Sequence, residues 1–282
     1  MHPLFRLVRI GNTTVSFAGT IVAGLAAFGH GFAVPFATAT TIGLAAASTA
    51  LVTAGGNVLN DLGDRETDRV NHPDRPLVTG AVSVRGARRL ATGLLVSSAV
   101  VVAPVVLMVP LLAIVLAAAL GALLAYELRF KSRGLSGNAL VAALTGLVFL
   151  YGGAAGGNPV VVLPLAAMAF FATLSREVIK DMEDVSGDID RTTFPRTHGI
   201  PAASGLARGS VAVAILLSPI PLLVTVPWTS AAGIIYLGLV AATDALFVAS
   251  VAWLPHELHR EQTMSKAAMA LALAAFLTLA FR

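Results

Sequence analysis

The sequence predicts an all-α membrane protein built on nine transmembrane helices. Composition is the first sign: 56% of the 282 residues are hydrophobic and 12% charged, with a mean hydropathy of +0.83, whereas soluble domains carry about 25% charged residues. The apolar runs are the second, because most match the roughly 20 helical residues needed to cross a hydrocarbon core. Third, Lys and Arg fall on alternate connections between those runs. A stretch such as VSSAVVVAPVVLMVPLLAIVLAAALGALLA is apolar on every face, while barrel strands would alternate in segments of about ten.

The first run, 13–29, follows Arg6 and Arg9. A basic start before an apolar stretch ending in small residues also suits a signal peptide, but the later runs need none, so 13–29 is read as a span. The second run, 36–56, leads into NVLNDLGDRETDRVNHPDRPL at 57–77 and a region holding Arg65, Arg69, Arg75, Arg85, Arg88 and Arg89. Runs three and four, 90–109 and 111–126, are parted only around Pro110, and runs five and six, 139–156 and 160–175, by GGNP at 156–159. Eight spans is therefore the alternative count. The seventh, eighth and ninth runs cover 204–226, 229–254 and 267–281.

Charge decides for nine. Arg129, Lys131 and Arg133 follow run four, Arg176, Lys180, Arg191, Arg196 and Arg208 mark the passage from six to seven, and Arg260 and Lys266 precede run nine. The connections near 30–35, 110, 157–159 and 227 carry no Lys or Arg. Such alternation is the positive-inside pattern for nine spans with a cytoplasmic N-terminus in a cell membrane. The whole chain, 1–282, reads as a single transmembrane domain. There is no cysteine, which removes disulfides, thiolate nucleophiles and thiolate metal sites. The pI near 10 accompanies a net charge of only +4 and no soluble basic domain, so nucleic acid is not an expected partner. No obligatory protein partner is implied.

Of the 15 acids, all but Asp244 lie at or near the basic end. Acids contribute little to orientation, so their clustering points to chemistry. Asn57, Asp61, Asp64 and Asp68 are spaced 4, 3, 4, and so are Glu177, Asp181, Asp184 and Asp188. At about 100° per residue each set forms one polar stripe on a helix. Each ladder begins where the second span of a four-span block ends, which predicts two four-helix pseudo-repeats plus a ninth helix.

Like charges at helical spacing destabilise a helix unless something neutralises them. Oxygen donors without thiolates suit Mg²⁺ rather than Zn²⁺ or copper. Mg²⁺ takes one or two carboxylates and fills its other positions with water and substrate phosphate; two facing stripes thus suit a metal-bridged diphosphate. The competing reading is a solvated helix end whose acids pair with Arg65, Arg69, Arg176 and Lys180. Two ladders of one spacing at one membrane depth favour the metal. Arg75, Lys131, Arg176 and Lys180 are then expected to meet phosphate oxygens.

These residues resemble the UbiA superfamily of intramembrane prenyltransferases. The stretch 57–77 is similar to its first aspartate-rich motif, N-x3-D-x2-D-x3-D followed by N-x-P-x-R-P, and REVIKDMEDVSGD at 176–188 to its second. RIGN at 9–12, YELRFKSRGLSGN at 126–138 and TTFPRTHG at 192–199 extend the match in order. The resemblance implies a central cavity inside the nine helices, Mg²⁺-bound prenyl diphosphate under a cytoplasmic cap, and a prenyl tail running toward lipid. It implies metal ligands Asn57, Asp61, Asp64, Asp68, Asp181, Asp184 and Asp188, with Glu177 matched by spacing only. Asp61, Asp68, Asp181, Lys131 and Tyr126 are the implied catalytic set; Arg9, Asn12 and Arg75 would lie at the substrate with Arg176 and Lys180.

Within the superfamily, REVIKDMEDVSGD, the TTFP element and the RGLSGN turn are most similar to the archaeal digeranylgeranylglyceryl phosphate synthase subfamily. TTFPRTHG departs from its more usual aliphatic pair around the proline. The implied reaction is Mg²⁺-dependent transfer of a geranylgeranyl group from its diphosphate to geranylgeranylglyceryl phosphate, a lipid-like acceptor; an aromatic or quinone precursor is the alternative acceptor. Asp244, inside the eighth span with no basic residue near in sequence, is an expected acceptor contact, against a plain Ser- or Thr-bonded helix contact. A transporter would place its acids at the midplane, and a CDP-alcohol phosphotransferase would leave the second ladder unexplained.

Overall fold

In the computed structural model the described residues, 2–185 and 192–282, form helices and turns, with no β-strand among them. Nine helices among the described residues are long and apolar enough to cross a membrane. Their α-helical parts are α1 Ile10–Phe28, α2 Phe36–Gly63, α3 Val84–Val106, α4 Pro110–Ala125, α5 Leu135–Ala155, α6 Leu163–Glu183, α7 Ile200–Leu217, α8 Ala231–Ala252 and α9 Leu258–Thr278, the fourth reaching span length only together with the turn that follows it, Pro110–Phe130. The weak separators do end helices. Pro110 opens α4 as its first helical residue, where a missing N–H costs nothing, and Pro159 opens a 3₁₀ turn, Pro159–Val162, ahead of α6.

Three helices run well past their apolar segments, all at the end that carries the ladders. α2 continues from 56 to Gly63, α6 from 175 to Glu183, and α9 begins at Leu258 rather than 267. Hydropathy marks which residues prefer lipid, whereas a helix persists for as long as its backbone bonds do. Those extensions carry Asp61 and Asp181 beyond the apolar stretch without leaving the helix.

The ladders themselves are not continuous stripes. α2 stops at Gly63, with Asp64 as its cap residue at φ −90°, ψ 2°, and the chain restarts as a short helix, Arg65–Asn71. α6 stops at Glu183, with Asp184 at φ −85°, ψ 0°. Each break comes at the third rung, and each cap N–H bonds four residues back, Asp64 to the Asn60 carbonyl and Asp184 to that of Lys180, both at 2.9 Å. Continuing the helix would stack further acids on the same face and add like-charge repulsion. Asp188 lies outside the described residues.

Packing repeats with the same period. α1 meets α2, α2 meets α3 and α3 meets α4; likewise α5 meets α6, α6 meets α7 and α7 meets α8. α9 packs against α8, α6 and α1 and closes the ring. One buried cluster, including Val22, Phe149, Leu165, Tyr236 and Phe276, joins α1, α5, α6, α8 and α9. Ile42, Val102, Leu112 and Tyr151 belong to another, around α2 to α5.

The α1–α5 crossing is the tightest consequence of small residues. A Cβ on Gly152 would lie 2.3 Å from the Thr20 carbonyl oxygen, and one on Gly156 2.1 Å from that of Gly24. Small residues four apart let backbones approach without a side chain between them. Because α1 carries Arg9 and Asn12 at its start, this seam positions them. Gly156→Ala is expected to cost about 1–3 kcal/mol through overpacking, read as a lower Tm in detergent. Gly93→Ala, where a methyl meets nothing within 4 Å, is expected not to lower it.

Candidate active site

A cavity of about 550 Å³ opens among α1, α2, α4, α5, α6 and α9. Arg9, Asn12, Asn57, Asn60 and Tyr126 line one side; Arg176, Glu177, Lys180 and Lys266 line the other. Between and below them the walls are apolar, with Val15, Leu116, Leu144 and Val148 among the lining residues.

Beside the first wall, three carboxylates are nearly out of water: Asp61 is 3% exposed, Asp64 8% and Asp68 4%. Buried charge needs a partner, and three separate elements supply one. Arg9, at the start of α1, places its guanidinium 2.6 Å from Asp61. Arg75, in the turn after the short helix, bridges Asp61 at 3.0 Å and Asp68 at 2.6 Å. Lys131 reaches Asp64 at 3.1 Å and Glu127 at 3.0 Å and donates to the Asn60 carbonyl at 2.8 Å. Burial raises the Asp68 carboxyl above its ordinary range, the Arg75 charge pulls it down, and Asp64 and Asp61 push it up again.

Two backbone irregularities aim these cations. Arg9 sits at φ 48°, ψ 65°, the one non-glycine with positive φ among the described residues. Such a conformation costs on the order of 1–3 kcal/mol and persists only where surrounding contacts hold it. After α4, residues Tyr126–Phe130 form a π-helical turn, closed by the Lys131 N–H to the Tyr126 carbonyl at 2.9 Å. Its extra residue per turn leaves Tyr126 on the cavity and brings Lys131 over Gly63, where a Cβ would stand 2.8 Å from Nζ. Asn57 donates its amide Nδ2 to the Val8 carbonyl at 3.0 Å, which leaves its amide oxygen as the atom for a cation.

On the α6 side, Asp181 accepts from the Asn138 amide of α5 at 2.8 Å. Arg176 pairs with Glu177 at 2.9 Å, and Lys180 faces the cavity. The donors on both sides are carboxylate and amide oxygens, the set that suits Mg²⁺. Among the described residues no three His, Asp or Glu converge at metal-ligand spacing; the first-ladder acids converge on arginine and lysine instead. The fit rests on that chemistry: three buried carboxylates are held together only by positive charge, here that of Arg9, Arg75 and Lys131.

Residues 16–279 match the model of the UbiA prenyltransferase family. The chain belongs to the UbiA prenyltransferase family. Digeranylgeranylglyceryl phosphate synthase of Haloquadratum walsbyi is 40% identical over 278 residues, 96% of this chain and 91% of the relative. The synthase of Natronomonas pharaonis is also 40% identical, over 78% of this chain and 77% of its own. A solved structure described as digeranylgeranylglyceryl phosphate synthase in membranes superposes with a TM-score of 0.77 at 29% identity, covering 99% of this chain and 98% of that one. A UbiA homologue from Archaeoglobus fulgidus, bound to GPP and Mg²⁺, shares the fold with a TM-score of 0.65 at 19% identity, over 97% and 99% of the chains.

In this UbiA prenyltransferase, Arg9, Asn12, Asn57, Tyr126, Arg176 and Lys180 reach the cavity as their motifs imply. Asp61, Asp64, Asp68, Arg75 and Lys131 form the ion network beside it. Arg75 and Lys131, expected at phosphate oxygens, here hold carboxylates. Of the pairings the solvated-end reading expects, the fold builds Arg176 with Glu177, 2.9 Å apart, whereas Arg69 meets Glu66 at the surface, 2.6 Å away. Asp244 lies off the main cavity, in a smaller apolar chamber of about 120 Å³. It accepts from Ser218 Oγ at 2.8 Å, while Tyr236 donates to the Ser218 carbonyl at 2.7 Å. The Ser-bonded helix contact is thus present, at a chamber wall.

Sequence reasoning passed over Asn60, Glu127, Asn138 and Lys266. Asn60 binds Asp64 through Nδ2 at 2.9 Å, and Glu127 and Asn138 stand inside the YELRFKSRGLSGN stretch. Lys266 had no motif around it.

Proposed function

We propose that this UbiA prenyltransferase transfers a geranylgeranyl group from geranylgeranyl diphosphate to the hydroxyl of geranylgeranylglyceryl phosphate, releasing diphosphate, with Mg²⁺ as cofactor. The observation that carries the acceptor is the 40% identity to a digeranylgeranylglyceryl phosphate synthase across 96% of the chain. The cavity supports the reaction class. We place the ladder end on the cytoplasmic side, because the connections at that end hold nearly all the Lys and Arg.

Asn57, Asp61, Asp64 and Asp68 would hold one Mg²⁺, and Asp181, Asp184 and Asp188 the other. Bound there, the ions supply Lewis-acid neutralisation of the leaving diphosphate. Arg9 and Arg75, now shared among the carboxylates, would donate to diphosphate oxygens. Lys131 anchors the end of α2 through Asn60 and Asp64, and Tyr126 presents its ring to the cavity. The allylic C–O bond breaks with its electron pair leaving on diphosphate, the acceptor oxygen forms the new bond to the same carbon, and the hydroxyl proton passes to the released diphosphate. Val15, Leu116 and Val148 keep bulk water from that electron-poor carbon.

The test offers purified protein radiolabelled geranylgeranyl diphosphate with both geranylgeranylglyceryl phosphate and 4-hydroxybenzoate, with Mg²⁺ and with EDTA. Label in the glyceryl phosphate product, abolished by EDTA and restored by Mg²⁺, is the expected result. Label in the aromatic product instead keeps the reaction class and overturns the acceptor. Transfer that survives EDTA overturns the metal.

A further inference from the structure

Among the described residues, the charges that line the cavity are Arg9, Glu127, Arg176, Glu177, Lys180 and Lys266. Four of them are already spent: Arg9 on Asp61, Glu127 on Lys131, and Arg176 and Glu177 on each other. Lys180 and Lys266 have no ion-pair or hydrogen-bond partner among the described residues, and the buried Nε of Arg176 has none there either. The uncompensated positive charge of the cavity therefore sits on one wall, made by α6 and α9.

Helical spacing makes that wall a continuous surface. On α6, Thr173, Arg176, Glu177 and Lys180 recur at three- and four-residue steps, and on α9 so do Lys266, Met269 and Ala270; such positions share a face. The two helices pack against each other. Thr173 and Met269 also line the apolar chamber that Asp244 borders, so the lysine wall continues into a space without charge apart from that residue. An amphiphile with an anionic head fits this gradient: head at the lysines, chain along Thr173 and Met269.

The opposite wall selects against a bare anion. Its cations are committed to three buried carboxylates, so a phosphate there needs metal to offset the acids. A phosphate monoester carries roughly −1.5 to −2 charges near neutral pH, which two lysines neutralise without metal. We propose that the α6–α9 wall is an anion subsite for the phosphate monoester of the acceptor, with Lys266 as its specificity-determining residue and Lys180 and Arg176 beside it. The assignment to the acceptor rests on the function proposed above. The donor diphosphate shares the same chemistry, and the measurements separate the two.

Steady-state kinetics on wild type, Lys266→Gln and Lys266→Arg, each with donor and acceptor varied in turn, read out the subsite. Losing one charge-assisted bond is expected to raise the KM for geranylgeranylglyceryl phosphate about 10- to 100-fold in Lys266→Gln, with the donor KM within about threefold and most of the loss recovered by Lys266→Arg. With geranylgeranylglycerol, which lacks the phosphate, the gap between wild type and Lys266→Gln is expected to close to within about threefold. A rise in the donor KM instead assigns the wall to diphosphate and overturns the proposal, as does an equal loss on both acceptors. Equilibrium binding of labelled geranylgeranylglyceryl phosphate without donor tests the subsite apart from catalysis. Binding weakened by Lys266→Gln in a protein that transfers nothing to this acceptor keeps the anion site and overturns the proposed reaction; binding that ignores Lys266 overturns the site.

Discussion

Asp61→Asn is expected to lower kcat/KM by at least about 10³-fold, the scale of losing a principal charge-stabilising group at a reacting centre. Asparagine keeps the shape and one oxygen but removes the charge to which both Arg9 and Arg75 are bound. Arg9, on the cavity wall, then loses its counter-ion. Arg75 retains Asp68 at 2.6 Å, and Arg9 is 30% exposed and so still solvated, which is why the defect is expected in chemistry more than in folding. Kinetics run beside far-UV circular dichroism and a detergent melt separate the two. Activity within tenfold of wild type would remove Asp61 from the proposed metal set.

Arg75→Ala is expected to cost about 10²-fold in kcat/KM, and Arg75→Lys is expected to recover little of it. One nitrogen, Nη1, bridges both carboxylates from a turn; a lysine ammonium, more strongly hydrated and on a flexible stem, lacks the rigid planar arm that holds that nitrogen in place. Without Arg75, Asp68 loses its one lowering influence while burial, Asp64 and Asp61 continue to raise it. The sign follows from proton linkage. A carboxyl whose folded pKa stands above its unfolded value binds more protons when folded, so its contribution falls as pH rises through that range. The melting deficit of Arg75→Ala in EDTA is therefore expected to be larger near neutral pH than in mild acid. A deficit that grows toward acid instead contradicts Asp68 as the group released.

The number of helices, their order and the ladders were legible because each rests on local pattern: run length, alternating charge and a repeated 4, 3, 4 spacing. The breaks at Asp64 and Asp184 were not, since a periodic reading assumes the helix continues and repulsion between rungs acts only once it forms. Cation partners were harder still. Arg9 meets Asp61 across 52 positions and Asn138 meets Asp181 across 43, distances over which spacing carries no information. Lys266 stood just ahead of an apolar run, outside any motif, and acquired meaning only when α9 closed the ring beside α6. Asp244 was legible as an oddity, and its Ser218 partner belongs to a different helix end.

The π-helical turn at Tyr126–Phe130 gives this stretch an unusual genetic property. Its role depends on how many residues it contains more than on which they are. Deleting one codon there would return the turn to ordinary pitch and swing everything after it by about 100°, carrying Lys131 away from Asn60 and Asp64. The lipid-facing body of α4 would not register the change. Point substitutions at Leu128, which is exposed, would leave that geometry in place. A variant library across the segment would therefore separate by length before it separated by composition, with single-residue deletions behaving as nulls in a membrane protein that still inserts.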